Sequence, residues 1–189
     1  NTATSELQRE QYGILFANIS INYRAKGDLD SAKYYIEKAV NYSRKHENLF
    51  SLSNSLAIQS ELLIRRGTPE LAEASLKEAV EIRKLIGDPF YIVSDMAQLG
   101  LFYAHNGQPD KGIEVVNEGI ELARKYNIET KYLFLYNTLA ENYKAKNDQA
   151  GYARTLETIV QLKDTVYMKN SAEALAELQT NYELQKKEK

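Results

Sequence analysis

Four turn-forming residues, Gly27, Gly67, Gly107 and Asn147, follow one another at intervals of 40 residues. A fixed period of this length means a stack of supersecondary units, each too small to bury its own apolar face and dependent on its neighbours to do so. The residues around the turns keep the same register. Before the turn, the 40-residue step links Phe16, Leu56, Met96 and Tyr136; Ser20, Ser60, Gly100 and Ala140; and Tyr23, Leu63, Tyr103 and Tyr143. After it, the step links Ala32, Ala72 and Gly112; Ile36, Leu76, Val116 and Leu156; Ala39, Ala79 and Gly119; and Val40, Val80, Ile120 and Val160.

Both halves of each unit read as amphipathic helices. Ile14, Phe16, Ile19 and Tyr23 recur at helical spacing in the first half of the first unit, and Ile36, Ala39, Val40 and Tyr42 in its second half. The glycines suit the left-handed residue that ends a helix. Asp28 and Thr68 then serve as N-caps and Gln108 as a poor one, with Pro69 and Pro109 at the first helical position. Asn48, Asp88 and Thr130 are expected to cap the first helices of the following units. These signals predict first helices near 8–26, 49–66, 89–106 and 131–146, and second helices near 29–45, 69–86, 109–126 and 149–167. Gly112 and Gly119 lie inside a helix, where glycine costs about 1 kcal/mol relative to alanine, and so mark points of close helix approach. Gly100, Ser20, Ser60 and Ala140 mark the same on the first helices.

The spacing Phe16-x2-Ile19-Ser20-x2-Tyr23 followed by Ala32 and Ala39, and Met96-x2-Leu99-Gly100-x2-Tyr103 followed by Gly112 and Gly119, resembles the tetratricopeptide repeat, or TPR. The fourth copy reads Tyr136-x2-Leu139-Ala140-x2-Tyr143, and the second departs from the pattern with Gln59 in place of leucine. The resemblance implies an all-α, right-handed α-solenoid of four helix-turn-helix repeats plus a C-terminal helix. The array is expected over 1–167, in repeats of about 8–47, 48–87, 88–127 and 128–167, with 168–189 as a capping or linker helix. Its period exceeds the usual one of about 34 residues by roughly a turn and a half of helix. Tyr152 and Ile159 are bulky where other repeats carry Ala or Gly, so regular stacking is expected to end there, with a different element covering the last helix.

Long-period arrays of this sort resemble those of bacterial peptide-responsive regulators. The run from Lys163 to Tyr167 and from Ala176 to Glu183 is similar to the segment that ends the TPR region of membrane-bound Bacteroidetes histidine kinases and helix-turn-helix regulators. That resemblance implies the sensory or interaction domain of a signal-transduction protein, periplasmic if it is a membrane sensor. The alternative is a soluble cytoplasmic scaffold or peptide-responsive regulator. Asn1 in place of a starting methionine leads one to expect a segment ahead of it, a signal peptide among the candidates. The helical sequence at the other end carries no stop signal and leads one to expect more chain beyond.

Composition narrows the partners. With 24 basic and 26 acidic residues the net charge is −2, and no basic stripe offers a nucleic-acid backbone a track. No apolar run approaches membrane-spanning length, so membrane attachment is expected only through a segment outside this chain. There is no cysteine, hence no disulfide or thiolate site. His46 and His105 stand alone on different repeats, and Glu118 and Glu121 read as a solvated face, so no catalytic or metal site is expected. No glycine-rich loop cradles phosphates and no cofactor is expected. The 14 tyrosines follow the packing register and read as core and inter-repeat residues.

The TPR resemblance implies a protein or peptide ligand in the groove lined by first helices. Its groove-facing positions fall on Ala17, Ile21 and Arg24; on Asn54, Ala57, Glu61 and Arg65; on Ser94, Ala97, Leu101 and His105; and on Asn137, Glu141 and Lys144. Ala17 and Ile21 occupy two places of the lysine and asparagine set that clamps chaperone C-terminal carboxylates in some TPR proteins, which disfavours that ligand. A homodimer is the other partner considered.

Overall fold

The structure, a computed structural model, describes residues 2–187, with side chains described over 11–180. The order of elements is α1 (Thr2–Ala25), α2 (Leu29–Lys45), α3 (Leu49–Arg65), α4 (Pro69–Ile86), α5 (Pro89–His105), α6 (Pro109–Lys125), α7 (Tyr132–Ala145) and α8 (Gln149–Lys187). Consecutive helices pack as hairpins, α1 on α2 through α7 on α8, and each hairpin leans on the next through α2·α3, α4·α5 and α6·α7. This is an all-α solenoid.

The corners explain the period. A residue with positive φ occurs every 20 residues, at Gly27 (81°), Glu47 (54°), Gly67 (74°), Gly87 (82°), Gly107 (71°), Asn127 (54°) and Asn147 (60°). At every one of these except Gly87 the next backbone N–H reaches back to the carbonyl five residues earlier, as in Asp28 to Tyr23 (3.0 Å), Asn48 to Ser43 (3.0 Å) and Ile128 to Ala123 (2.8 Å). That bond satisfies an orphan carbonyl and reverses the chain in two or three residues. At Gly87 the helix runs one residue further and closes with Gly87 N–H on Arg83 O, because Pro89 holds Asp88 extended.

Caps follow the sequence at Asp28, Asn48 and Asp88, whose side chains accept from Ser31, Ser51 and Phe90 N–H. Thr68 differs: its hydroxyl donates back to Leu63 O at 3.1 Å and makes no cap bond to the helix that follows. Thr130 also differs. It sits within a 3-10 turn, Glu129–Lys131, and α7 starts after it without a side-chain cap.

The core is a chain of linked clusters. Ala32, Ile36 and Ala39 meet Ala17 and Leu62; Ala72, Leu76 and Val80 meet Ile92, Met96, Leu99 and Phe102; Val116, Ile120 and Ala123 meet Val93, Ala97, Leu135 and Leu139. The helix glycines are packing points. A Cβ on Gly119 would stand 3.0 Å from Leu135 Cδ2, and one on Gly112 would stand 2.5 Å from Asn142 Cγ. Ser20 donates to Ala32 O at 2.7 Å. Gln59, the departure from the motif, accepts from Ser75 at 3.2 Å, so the polar residue is satisfied within its own hairpin. The tyrosines sit mostly at half-buried joints, for example Tyr23 stacked on Tyr35 at 5.4 Å.

Two expectations about the ends are corrected. α1 begins at Thr2, before residue 8. The C-terminal helix expected from 168 is the continuation of α8, which runs 39 residues without a break because no glycine or proline follows Gly151. Among the described residues, α8 packs extensively on one element, α7. It packs on α7 through Gly151, Thr155 and Ile159, and its side chains over 163–180 are exposed except Ser171.

Candidate functional site

The first helices do not follow one another evenly. α1 packs on α3 and α5 on α7, whereas α3 and α5 make no comparable contact. The gap separates the two repeats joined at the Gly87 corner, where the five-residue reach-back bond is missing. It holds a cavity of about 330 Å³ whose wall includes Ala17, Ser55, Ala57, Tyr91, Ser94 and Lys131.

Its deepest member comes from a second helix. Arg83, on α4, extends between α3 and α5, leaving 2% of its side chain exposed. Its Nε–H donates to Asp95 Oδ2 at 3.1 Å, and its Nη2 donates to Asn54 Oδ1. The rings of Phe50 and Tyr91 lie 4.7 and 4.6 Å from the guanidinium carbon and hold its plane. Nη1 has no partner among the described residues, and neither has the buried hydroxyl of Ser55, which lines the same cavity. Burial pushes the Asp95 carboxyl above the ordinary carboxylate value, against the opposing pull of Arg83 and, more weakly, Lys131. Lys131 Nζ stands 4.0 Å from the centre of the Phe90 ring at the rim.

Of the groove positions read from the sequence, the structure brings Ala17, Asn54, Ala57, Glu61 and Ser94 to this cavity. Arg24 reaches it indirectly, as the ion-pair partner of Glu61 across α1 and α3. Ile21, Arg65, Leu101, His105, Asn137, Glu141 and Lys144 do not line it. Ala97 is fully buried between Val93 and the α6–α7 core, on the side of α5 turned from solvent, and presents nothing to a ligand.

Arg83, Asp95, Phe50, Tyr91, Ser55 and Lys131 escaped the sequence reading. Transferring a motif samples first-helix positions already known to face a groove, and Arg83 is on the other helix. The 40-residue register carried a usable signal. The place of Arg83 holds Ser43 and Ala123 in neighbouring repeats, and that of Asp95 holds Ser55 and Leu135. Two opposite charges therefore stand at inward positions where small or apolar residues are the rule.

Comparison with known proteins agrees with this architecture. The tetratricopeptide-repeat family matches residues 15–46, the hairpin of α1 and α2. This is a TPR-like solenoid. Its fold is similar to that of a Podosopora anserina putative kinesin light chain with nearly identical TPR-like repeats (TM-score 0.72, 18% identity, 81% of this chain and 75% of that one). It is also similar to a Pyrococcus horikoshii signal transduction ATPase with numerous domains that carries a tetratricopeptide repeat sensor (TM-score 0.76, 20% identity), where the match covers 87% of this chain but 26% of the other. BtubC from P. vanneervenii gives a TM-score of 0.73 at 14% identity over 82% of this chain and 64% of its own. No curated protein matches the sequence. Among the described residues of the solenoid, no helix is long and apolar enough to cross a membrane.

Proposed function

We propose that this chain is a non-enzymatic protein- or peptide-binding module, serving as the sensory or interaction domain of a bacterial signal-transduction regulator. TPR folds are in general non-catalytic scaffolds that bind protein partners. The observation that carries the reading is the opening between α3 and α5. There the first-helix face offers apolar Ala17, Ala57 and Ile58 beside the polar Asn54, Ser94 and Gln98, the mixture that gives a peptide both contact area and direction. The regulator context draws on the TPR sensor of the Pyrococcus protein and on α8, whose exposed distal part leaves the array as a continuous rod able to pass a displacement onward. Such relay requires a ligand with unequal affinity for two states of the array.

Photo-crosslinking in the source cell tests the module. A benzophenone side chain at Ser94 or Asn54 should capture a protein partner, while one at Lys33 or Glu37, on the opposite groove of α2 and α4, should not. Equal capture from both faces, or none from the first-helix face, contradicts the assignment.

A further inference from the structure

We infer that the chain pairs with a second copy of itself through α8, the two helices lying antiparallel with Tyr167 at the two-fold axis. The inference goes beyond the peptide-binding reading and concerns a different face of the molecule.

The 40-residue register shows that one face of α8 lacks its cover. Ile36, Leu76 and Val116 are 1%, 3% and 0% exposed, and Val40, Val80 and Ile120 are 5%, 3% and 4% exposed. These side chains pack against the first helix of the next unit, Ile36 with Leu62, Val40 with Leu56 and Ile120 with Leu135. Their equivalents on α8, Leu156 and Val160, are 40% and 57% exposed. Elsewhere the corners at Glu47, Gly87 and Asn127 turn the chain back to supply that cover. The register places Tyr167 at the corresponding position, and α8 runs straight through it to Lys187. The segment that follows Val160 therefore cannot fold back over it.

The other repeats define the missing element. It is a helix antiparallel to the one it covers, because a corner of a few residues joins each such pair. The distal half of a second α8 supplies one. Leu156, Val160, Lys163, Tyr167, Ser171, Ala174 and Leu178 follow at steps of 4, 3, 4, 4, 3 and 4 residues. At 3.6 residues per turn they lie in a band about 80° wide. The steps read the same from either end, with Tyr167 in the centre. Two antiparallel copies therefore meet in register: Leu156 faces Leu178 of the second copy, Val160 faces Ala174, Lys163 faces Ser171 and Tyr167 faces Tyr167. Leu178 and Tyr167, 66% and 71% exposed in the single chain, gain cover along with Leu156 and Val160. A parallel pair on this stripe would set Lys163 against Lys163, whereas the antiparallel pair sets each lysine against a serine. Such an isologous contact closes at two copies.

Lys163 and Ser171 interrupt the apolar stripe, which sets the expected Kd at about 10–100 µM. A net charge of −2 opposes association little. Each array folds without its partner, so near that concentration pairing leaves the melting temperature almost unchanged.

Light scattering should show the mass rising from one chain toward two between roughly 5 and 200 µM. The chain has no cysteine, so single introduced thiols report the geometry. Under oxidation at about 100 µM, Tyr167→Cys should give a disulfide-linked dimer. Leu156→Cys and Leu178→Cys should each fail to crosslink alone, since like positions lie about 33 Å apart along the seam, but should crosslink when mixed. Val160→Glu, a change at a side chain open to solvent in the single chain, should keep its melting curve and weaken pairing about tenfold or more. A mass of one chain throughout, self-crosslinking of Leu156→Cys and Leu178→Cys, or pairing indifferent to Val160→Glu overturns the inference. None of these results bears on the opening between α3 and α5, which benzophenone capture tests separately.

Discussion

Gly112→Ala is a substitution that helix propensity alone predicts to stabilise, by about 1 kcal/mol. The packing predicts the reverse. A Cβ at this position would stand 2.5 Å from Asn142 Cγ and 2.9 Å from Nδ2, with Oδ1 nearer still. Asn142 cannot step aside, because it is fully buried and its amide donates to Gly100 O at 3.0 Å and to Thr138 O at 2.9 Å. Overpacking costs about 1–3 kcal/mol, and displacing Asn142 forfeits two buried hydrogen bonds at roughly 1 kcal/mol each. After the propensity gain, the net loss is about 2–4 kcal/mol, which in a chain of this size lowers the melting temperature by roughly 4–16 °C. The other repeats show how the clash is relieved. At the two equivalent joints, Ala32 meets Leu62 and Ala72 meets Phe102. The double variant Gly112→Ala/Asn142→Leu copies the first of these pairs and should recover at least half of the loss, a coupling of at least about 1 kcal/mol. Thermal and urea unfolding of the two single variants and the double variant measure it. A Gly112→Ala protein as stable as wild type would refute the reasoning.

Gly100→Leu should cost about 1–3 kcal/mol or more in urea unfolding, since a Cβ there collides with the fully buried Val116. Glu47→Gly should stabilise by roughly 0.5–1 kcal/mol, because a non-glycine residue there holds a φ of 54°, whereas Gly67→Ala at 74° should destabilise by about 1 kcal/mol. Asp95→Asn keeps an acceptor for Arg83 but removes a carboxylate whose burial raises its pKa above the ordinary carboxylate range. A raised folded pKa gives stability that is present below the unfolded value and lost as pH climbs through the folded one. The variant should therefore match wild type near pH 3.5 and equal or exceed it at pH 7, as pH-dependent melts would show; a deficit that grows with pH would contradict it. Ending the chain after Tyr167 should leave the melting temperature within about 2 °C, because the removed residues are exposed over 168–180 apart from half-buried Ser171; a large drop would mean that they cap the array.

The 40-residue register made much of the architecture legible. It located the Gly27, Gly67, Gly107 and Asn147 corners, both helices of each hairpin, and Gly112 and Gly119 as packing points. The alternate corners at Glu47 and Asn127 escaped because a single glutamate or asparagine is a weak sign of left-handed backbone; there the helix-ending hydrogen bonds hold the residue at a φ it would not choose. The extent of α8 was missed for a different reason. Tyr152 and Ile159 suggested a change of partner, but the absence of any breaker beyond Gly151 sets the length of the helix. In the site, first-helix positions such as Asn54 and Ser94 followed from the motif. The buried Arg83–Asp95 pair was visible only as a departure from it: two charges standing where sister repeats place Ser43, Ala123, Ser55 and Leu135.

The most direct measurement is the structure of the chain bound to a peptide selected on it. The account predicts the peptide lying across the first helices at the opening between α3 and α5, against Asn54 and Ser94. A peptide seated on the groove of α2 and α4 would contradict it.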